Sequence, residues 1–234
     1  MKFGSLPCVL TCAALALVAS ASHALPIQYA GNRAGFEATL STKITDDYSA
    51  YTVGDISNSP SLHVYTDAGM SAVLGETDYR STTFQDVNIT FPFPPSGNLA
   101  YCAGCNGSFL LSFTSTSVGD ATGVFGVGFD ILEATNFHAF VVFGDNTTLD
   151  VALASLAPGF WGITADERIR SIHVGLANGA PTSSGAFDGI SIDNLTIGRQ
   201  GETVDPVPVP ERAGFALLGA GLVAAGLHHR RRHG

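Results

Sequence analysis

The chain has 234 residues, of which 45% are hydrophobic and 13% charged, and this balance excludes an intrinsically disordered protein and a coiled coil. Its formal charge of −9 is unevenly distributed, because residues 25–206 hold 19 acidic and 6 basic side chains, a net charge of −13. Such a body repels phosphate backbones, so no nucleic-acid partner is expected.

The N-terminus has the three parts of a secretory signal peptide in their usual order. A basic residue, Lys2, precedes an apolar run over residues 6–21, and Ser22-His23-Ala24 follows this run. Signal peptidase needs small side chains at two positions before the bond that it cuts, and Ser22 and Ala24 provide them. We therefore expect signal peptidase to remove residues 1–24 from an exported protein.

Residues 25–201 have the pattern of a single domain built from strands. Apolar side chains recur with a period of two, and turn signals such as Ala157-Pro158-Gly159 separate the runs. Only residues 33–42 carry a helical pattern. Short strands without helices between them predict an all-β domain, an antiparallel β-sandwich or barrel. The strands are expected at residues 83–91, 108–114, 123–131, 137–143, 149–153, 160–164, 169–176 and 187–197.

Two cysteines, Cys102 and Cys105, remain once the signal peptide is removed. A lone Cys-x-x-Cys motif can be a redox pair, half of a zinc site or a disulfide across a turn. The chain has no second pair to complete a four-cysteine zinc site, and no helix is predicted after the motif to lower a thiolate pKa. Because exported proteins meet an oxidising compartment, we predict a Cys102–Cys105 disulfide, with a redox pair as the alternative.

Trp161 is the aromatic residue that is best placed to contact a glycan. It follows the Pro158-Gly159 turn and stands beside Phe160, and an exposed aromatic ring at a loop tip can stack on a sugar ring. Lone tryptophans more often fill a core. The sequence therefore leaves two expectations for Trp161, a glycan contact and a core position.

Catalytic signatures are weak in this chain. Its strand-borne histidines, His63, His138 and His173, have no nucleophile motif such as Gly-x-Ser-x-Gly near them. Two carboxylates that face each other across a cleft can cleave a glycan. The carboxylates that could form such a couple are Glu37, Glu76, Asp130, Glu133 and Glu167. We predict no catalytic residue, because carboxylates in loops are more often simply solvated.

The end of the domain resembles the last strand of jelly-roll carbohydrate-binding modules. The resemblance rests on residues 186–195 and on the run Ile192-Asp193-Asn194-Leu195, which has their hydrophobic-Asp-Asn-hydrophobic pattern. It implies a jelly-roll-like sandwich, contact with carbohydrate and a structural Ca²⁺ held by Asp193, with Glu37 as the early ligand. Since Ca²⁺ takes six to eight oxygen ligands, further groups would have to complete the site. The alternative is that Asp193 is a polar residue at the end of a strand.

The C-terminus reads as a linker, a weak membrane span and a basic tail. Residues 202–212 are proline-rich, residues 213–227 carry no charge, and residues 228–234 include three consecutive arginines. Fifteen residues of helix rise about 22 Å, less than the roughly 30 Å of a bilayer core. Long basic side chains can extend a short span, and they stay on the cytoplasmic side, so the acidic body is expected outside.

This layout resembles the PEP-CTERM sorting signal of Gram-negative bacteria. The resemblance is carried by Val207-Pro208-Val209-Pro210-Glu211 and by Arg230-Arg231-Arg232, and Arg212 stands where the family has proline. It implies recognition by an exosortase, cleavage near Pro210-Glu211 and a final location in the cell envelope, at the cell surface or in the extracellular matrix. Members of this family accompany exopolysaccharide and biofilm production.

These observations lead to one expectation and one alternative. The expectation is a non-enzymatic exported β-sandwich, anchored in the inner membrane before processing, with a structural or adhesive role and with polysaccharide as a partner. The alternative is a glycan-active hydrolase or lyase on a jelly-roll scaffold. Two carboxylates about 5–10 Å apart across a cleft would favour the alternative.

Overall fold

The computed structural model describes residues 24–59, 61–94, 97–185 and 189–201. The predicted signal peptide up to His23, the proline-rich linker, the membrane span and the basic tail lie outside these residues. Within the described ranges, no helix has the length and apolarity needed to cross a bilayer.

Strands are the main secondary structure of the described residues. Their helices are α1 (Arg33–Glu37), α2 (Asp67–Leu74) and a 3-10 turn at Ala154–Leu156. The strands are β1 (Ile27–Ala30), β2 (Leu40–Asp46), β3 (Ser57–Ser59), β4 (Leu62–Tyr65), β5 (Asp78–Ser81), β6 (Asn88–Pro92), β7 (Leu99–Ala103), β8 (Phe109–Ser112), β9 (Val124–Ala134), β10 (His138–Phe143), β11 (Thr148–Ala152), β12 (Gly159–Gly175) and β13 (Ile190–Gln200).

The long strand β12 connects the two layers of the domain. Its residues 159–164 pair with β9, and β1 lies on their other edge. Its residues 169–175 pair with β10 on one side, and β8 lies on the other. The first layer continues from β9 through β13 to β2 and β7. The second layer runs from β5 through β8 and the second half of β12 to β10 and β11. All these pairings are antiparallel, which confirms the prediction of an all-β antiparallel sandwich.

The core lies between the layers and takes side chains from both. Val127 and Phe129 of β9 face inward from the first layer, whereas Leu111 and Ile172 do so from the second, and all four are fully buried. The alternate residues of β9 include Gly126 and Gly128 on the outer face of the first layer.

Helix α1 packs on this glycine-lined outer face. A Cβ added to Gly128 would lie 2.7 Å from Cζ of Phe160 and 3.0 Å from Cε1 of Phe36. Phe36 of α1 is fully buried, and Asn32 begins the helix by accepting a hydrogen bond from the Gly35 amide at 2.9 Å. The glycines of β9 therefore provide the space that the α1 aromatic ring fills.

Two predictions about local structure are wrong. Residues 33–42 are not one helix, because α1 ends at Glu37 and β2 begins at Leu40. A second helix, α2, lies between strands where none was expected. Thr66 caps α2 by accepting from the Gly69 amide at 2.9 Å, and Gly75 ends it in the left-handed region at φ 74°. Only Met70 of α2 is buried, so the sequence shows no apolar stripe for this helix.

Candidate functional site

A polar pocket lies where β13 bends away from its neighbours. The β13–β9 register shifts between Asp193 and Thr196, and Asn194 takes a positive φ of 51°, which asparagine tolerates better than most residues. The bend opens a pocket of about 370 Å³ against the turn after β2 and the start of β7. The pocket is lined by Asp47, Ser49, Gly97, Asn98, Leu99, Asp193 and Asn194.

Asp193 is the most buried charged group of this pocket. Its residue is 7% exposed, and its Oδ1 accepts a hydrogen bond from the neighbouring Asn194 amide at 2.6 Å. Burial raises the pKa of Asp193 to about 6, and the nearby charges of Asp130 and Asp47 act in the same direction, whereas Arg33 acts against them. With this raised pKa, Asp193 is mostly ionised at pH 7 and becomes protonated as the pH falls through about 6.

Asp47 supplies a second carboxylate with the opposite behaviour. Its Oδ1 accepts from the Ser49 hydroxyl at 2.7 Å and from the Ser49 amide at 3.0 Å. These bonds, that of the hydroxyl first, hold the pKa of Asp47 below its usual value. The side chain is exposed at the pocket mouth. One pocket thus contains a carboxylate whose pKa is lowered and another whose pKa is raised to about 6.

A buried cluster of tyrosines holds the turn that carries Asp47. Asp46 accepts from the Tyr51 hydroxyl at 2.6 Å, from the Tyr79 hydroxyl at 2.8 Å and from the Tyr48 amide at 3.1 Å. The ring of Tyr48 stacks on that of Tyr101 with centroids 5.7 Å apart. Asp46 points into the core and Asp47 points into the pocket, so this cluster fixes the pocket wall.

Arg33 is the cation of the neighbouring charge cluster. Its guanidinium lies 2.9 Å from Oδ1 of Asp130 and 3.3 Å from Oε1 of Glu37, and it sits 4.5 Å from the centre of the Phe160 ring. Asn194 connects this cluster to the pocket, because its Nδ2 donates to Oδ2 of Asp130 at 2.8 Å. The carboxylates around Arg33 therefore already have a cation.

The two predicted Ca²⁺ ligands, Asp193 and Glu37, have different surroundings. Glu37 forms ion pairs with Arg33 and Lys43, and the hydrogen bond from Lys43 is the main cause that lowers its pKa. Asp193 instead faces the pocket. Within the described ranges, no three His, Cys, Asp or Glu side chains come together in a group that could hold a metal ion.

Of the two expectations for Trp161, the structure matches the core position and not the glycan contact. Trp161 is 0% exposed, and its ring packs on Phe129 with centroids 5.3 Å apart. Its Nε1 donates to Gln28 Oε1 at 3.3 Å. The residue belongs to β12 rather than to the preceding turn, so its side chain enters the core between the layers.

The predicted disulfide joins Cys102 and Cys105, whose Cα atoms are 4.6 Å apart. Cys102 is fully buried at the end of β7, and the bridged turn leads into β8, as expected from Gly104 and Asn106-Gly107. No helix of the described part of the chain begins or ends beside it. A redox pair would need an accessible thiolate near such a terminus, so the geometry favours a structural disulfide.

The carboxylates considered for an acid/base couple do not line the polar pocket. Glu76 accepts from Ser117 and Thr116, Glu133 accepts from the Ser191 hydroxyl at 3.0 Å, and Glu37 and Asp130 share Arg33. Glu167 lines a different pocket, next to Phe143 and Leu25.

The two carboxylates that share the polar pocket are Asp47 and Asp193, and the sequence pointed only to the second. The signal for Asp47 was its position in Asp47-Tyr48-Ser49, where an aspartate can bond to the residue two positions later. Comparison with models of protein families, with curated proteins and with solved structures found no match to the chain.

Proposed function

We propose that this chain is an exported protein of the cell envelope or exopolysaccharide matrix of a Gram-negative bacterium, sorted by its C-terminus. The observation that carries this proposal is the order of proline-rich motif, short apolar segment and arginine trio over residues 207–232. Signal peptidase and an exosortase are its processing partners. The three arginines after the apolar segment favour a tail on the cytoplasmic side and a body outside the inner membrane.

The sorting step is tested by locating variants in producing cells. Glu211→Ala changes the motif near the expected cleavage point, and Glu202→Ala is the matched control upstream of it. We expect Glu211→Ala to accumulate in the inner-membrane fraction and Glu202→Ala to reach the matrix like the unaltered protein. Equal release of both variants, or unchanged release from a strain without exosortase, contradicts the proposal.

Within this role, the jelly-roll-like sandwich is a structural or adhesive module that contacts polysaccharide through the polar pocket. Carboxylate and amide groups of Asp47, Asn98, Asp193 and Asn194 line the same concave site, and such convergent groups can bind sugar hydroxyls. The carboxylates and the net charge of −13 in residues 25–206 repel polyuronates. Neutral and amino-sugar polymers are therefore the ligands that fit.

Affinity electrophoresis through gels that contain neutral, amino-sugar or uronate polysaccharides tests this contact. Asp193→Asn keeps the size of the side chain and removes its charge, and Asp166→Asn does the same at an exposed position outside the pocket. We expect retardation by neutral or amino-sugar polymers that Asp193→Asn weakens at least about tenfold, a loss of about 1.4 kcal/mol. Binding that Asp193→Asn leaves intact would place the contact elsewhere.

One observation favours the second candidate, a glycan-active hydrolase. A carboxyl group with a raised pKa beside one with a lowered pKa is the division that an acid and a nucleophile or base require. Incubation with the retained polysaccharide, followed by a reducing-end assay, separates the two functions. We expect no release of reducing ends; release that both Asp47→Asn and Asp193→Asn abolish would establish the enzyme instead.

A further inference from the structure

His173, the histidine of the long strand β12, is shielded from solvent by another part of the chain. Ile172 and Val174, its neighbours in the chain, are fully buried in the core, so His173 points to the outer face of the second layer. It pairs with Phe140 of β10 on one side and with Leu110 of β8 on the other. A residue on an outer face is usually exposed, yet His173 is only 6% exposed.

The chain that follows β12 provides this cover, and we call residues 176–184 the cover segment. A Cβ added to Gly175, the last residue of β12, would lie 2.4 Å from Cε1 of His173 and 3.1 Å from the carbonyl oxygen of Ala180 in the cover segment. One added to Gly179 would lie 2.7 Å from Cδ1 of Phe140. The cover segment therefore lies close to both the histidine and the phenylalanine.

A small polar network attaches the cover segment to the sheet. Nε2 of His173 is 2.9 Å from the Thr82 hydroxyl, which is 2.8 Å from the Ser108 hydroxyl. The Thr182 amide donates to that Ser108 hydroxyl at 2.9 Å, and the Thr182 carbonyl accepts from the Thr83 hydroxyl at 2.6 Å. His173 is therefore the inner end of a chain of bonds that reaches the cover segment.

The other ring nitrogen of His173 has no hydrogen-bond partner among the described residues. This atom, Nδ1, is buried from solvent. In a neutral imidazole one nitrogen carries no hydrogen, whereas a protonated imidazole carries an N–H at both nitrogens. Protonation would therefore bury a charge and an unsatisfied donor in the same place, and each is costly.

The described residues that pair with His173 or share its hydrogen-bond network carry no charge that would compensate for this cost. Leu110 and Phe140 flank it within the sheet, the hydroxyl network is uncharged, and residues 176–184 contain no charged side chain. Arg80 lies one strand beyond Leu110 in the register, and Asp150 lies one strand beyond Phe140. Asp150 is already bonded to His138, whose Nδ1 lies 2.9 Å from it.

We propose that the cover segment is an acid-sensitive latch, which protonation of His173 releases to expose Phe140 and the face of the second layer. Opening gives the imidazolium water as a partner, and Thr182 loses its bonds to Ser108 and Thr83 in the same event. The proposal is independent of the sorting signal and of the polar pocket.

The pH range follows from the direction of the shift. Burial lowers the pKa of His173 from its ordinary value of 6.5, so the open state binds the proton more tightly than the covered state. The covered state is fully favoured above about pH 7 and loses stability as the pH falls through about 6.5 toward the lowered pKa. Asp46 and Asp193 have raised pKa values, so acidification through this range does not destabilise the domain through them.

Amide hydrogen exchange of the full-length chain in detergent, at pH 7.5 and pH 5.5 and corrected for the intrinsic rate, tests the latch. We expect exchange in the cover segment to rise about tenfold at pH 5.5, while β9 and β13 stay protected. His173→Gln keeps a polar side chain that cannot titrate in this range, and it should remove the acid response. His138→Gln is the matched control on the same face and should keep it.

Three results would overturn the proposal. The unaltered protein could show no acid response, His173→Gln could keep the response, or His138→Gln could lose it. If His173→Gln does not fold, an NMR titration of the unaltered protein decides instead. Amide shifts of the cover segment that follow the His173 imidazole midpoint support the latch. A His173 transition without a change in those amides contradicts it.

Discussion

Asp46 and Asp193 are both buried carboxylates, 5% and 7% exposed, yet they have different surroundings. Burial raises the pKa of each. Asp46 accepts three hydrogen bonds, two of them from phenols, whereas the bond to Asp193 comes from the adjacent amide and the side chain opens onto a pocket. Burial alone therefore does not distinguish a carboxylate held within the core from one that faces a pocket, whereas the hydrogen-bond partners do.

The largest effect is expected from Asp46→Ala. The substitution leaves two buried phenol donors and the Tyr48 amide without an acceptor, so the free energy of unfolding should fall by about 3–5 kcal/mol. Urea unfolding followed by fluorescence measures it. Asp166→Ala, at an exposed position, should cost less than about 0.5 kcal/mol. If Asp46→Ala does not fold, Tyr51→Phe should still cost about 1 kcal/mol; no cost in either variant would contradict a structural role for Asp46.

Arg33→Ala extends the comparison to Asp130 and Glu37, two carboxylates that form ion pairs with an arginine. Asp130 and Glu37 would lose their shared guanidinium, and Phe160 would lose its stacked cation, so we expect the free energy of unfolding to fall by about 2 kcal/mol. Arg170→Ala is the control, because Arg170 makes one exposed bond, to Asn146. Equal losses in the two variants would show that the Arg33 cluster is no more than a surface ion pair.

Glu76→Ala separates hydrogen bonding from burial. Glu76 accepts from the Thr116 hydroxyl at 2.8 Å and from the Ser117 amide at 2.7 Å. Burial raises its pKa, but these bonds outweigh burial and the net pKa is lowered. We expect a cost of about 1 kcal/mol at pH 7. Because the folded pKa is depressed, the difference should disappear as the pH falls below about 4; a cost that is the same at pH 3 would contradict this cause.

The smallest effect has the opposite sign. Asp193 is ionised and buried at pH 7, and its raised pKa means that its contribution to stability is complete below about pH 4 and is lost as the pH rises through about 6. Asp193→Asn should therefore unfold with a free energy about 0.5–1 kcal/mol higher than the unaltered protein at pH 7.5, and with no gain at pH 4. A loss of stability at pH 7.5 would make Asp193 structural, like Asp46.

Sequence reasoning predicted the strands whose residues alternate. Apolar runs at residues 108–114 and 137–143 predicted β8 and β10 closely, because one face of each lies in the core. The same reasoning missed β2, because most of its side chains are exposed and its apolar residues do not alternate clearly. It also divided β12 in two at Asp166-Glu167-Arg168, where the strand passes from one layer to the other without a turn.

The candidate site was only partly predictable for the same physical reason. Asp193 was found from a local pattern, but its pocket is completed by Asp47 and Asn98, which lie far away in the chain. The sequence left Trp161 with two expectations, and the continuous strand β12 decides between them because it carries the ring into the core. Pairing between strands that are distant in the chain determines both the pocket lining and the position of Trp161. Such pairing cannot be inferred from a local sequence pattern.

The intact mass of the protein recovered from the matrix of a producing strain tests the central claim most directly. We predict a chain that starts at Leu25 and ends near Pro210-Glu211, without the apolar segment and the arginines. A recovered protein that still contains Arg232 would contradict the account.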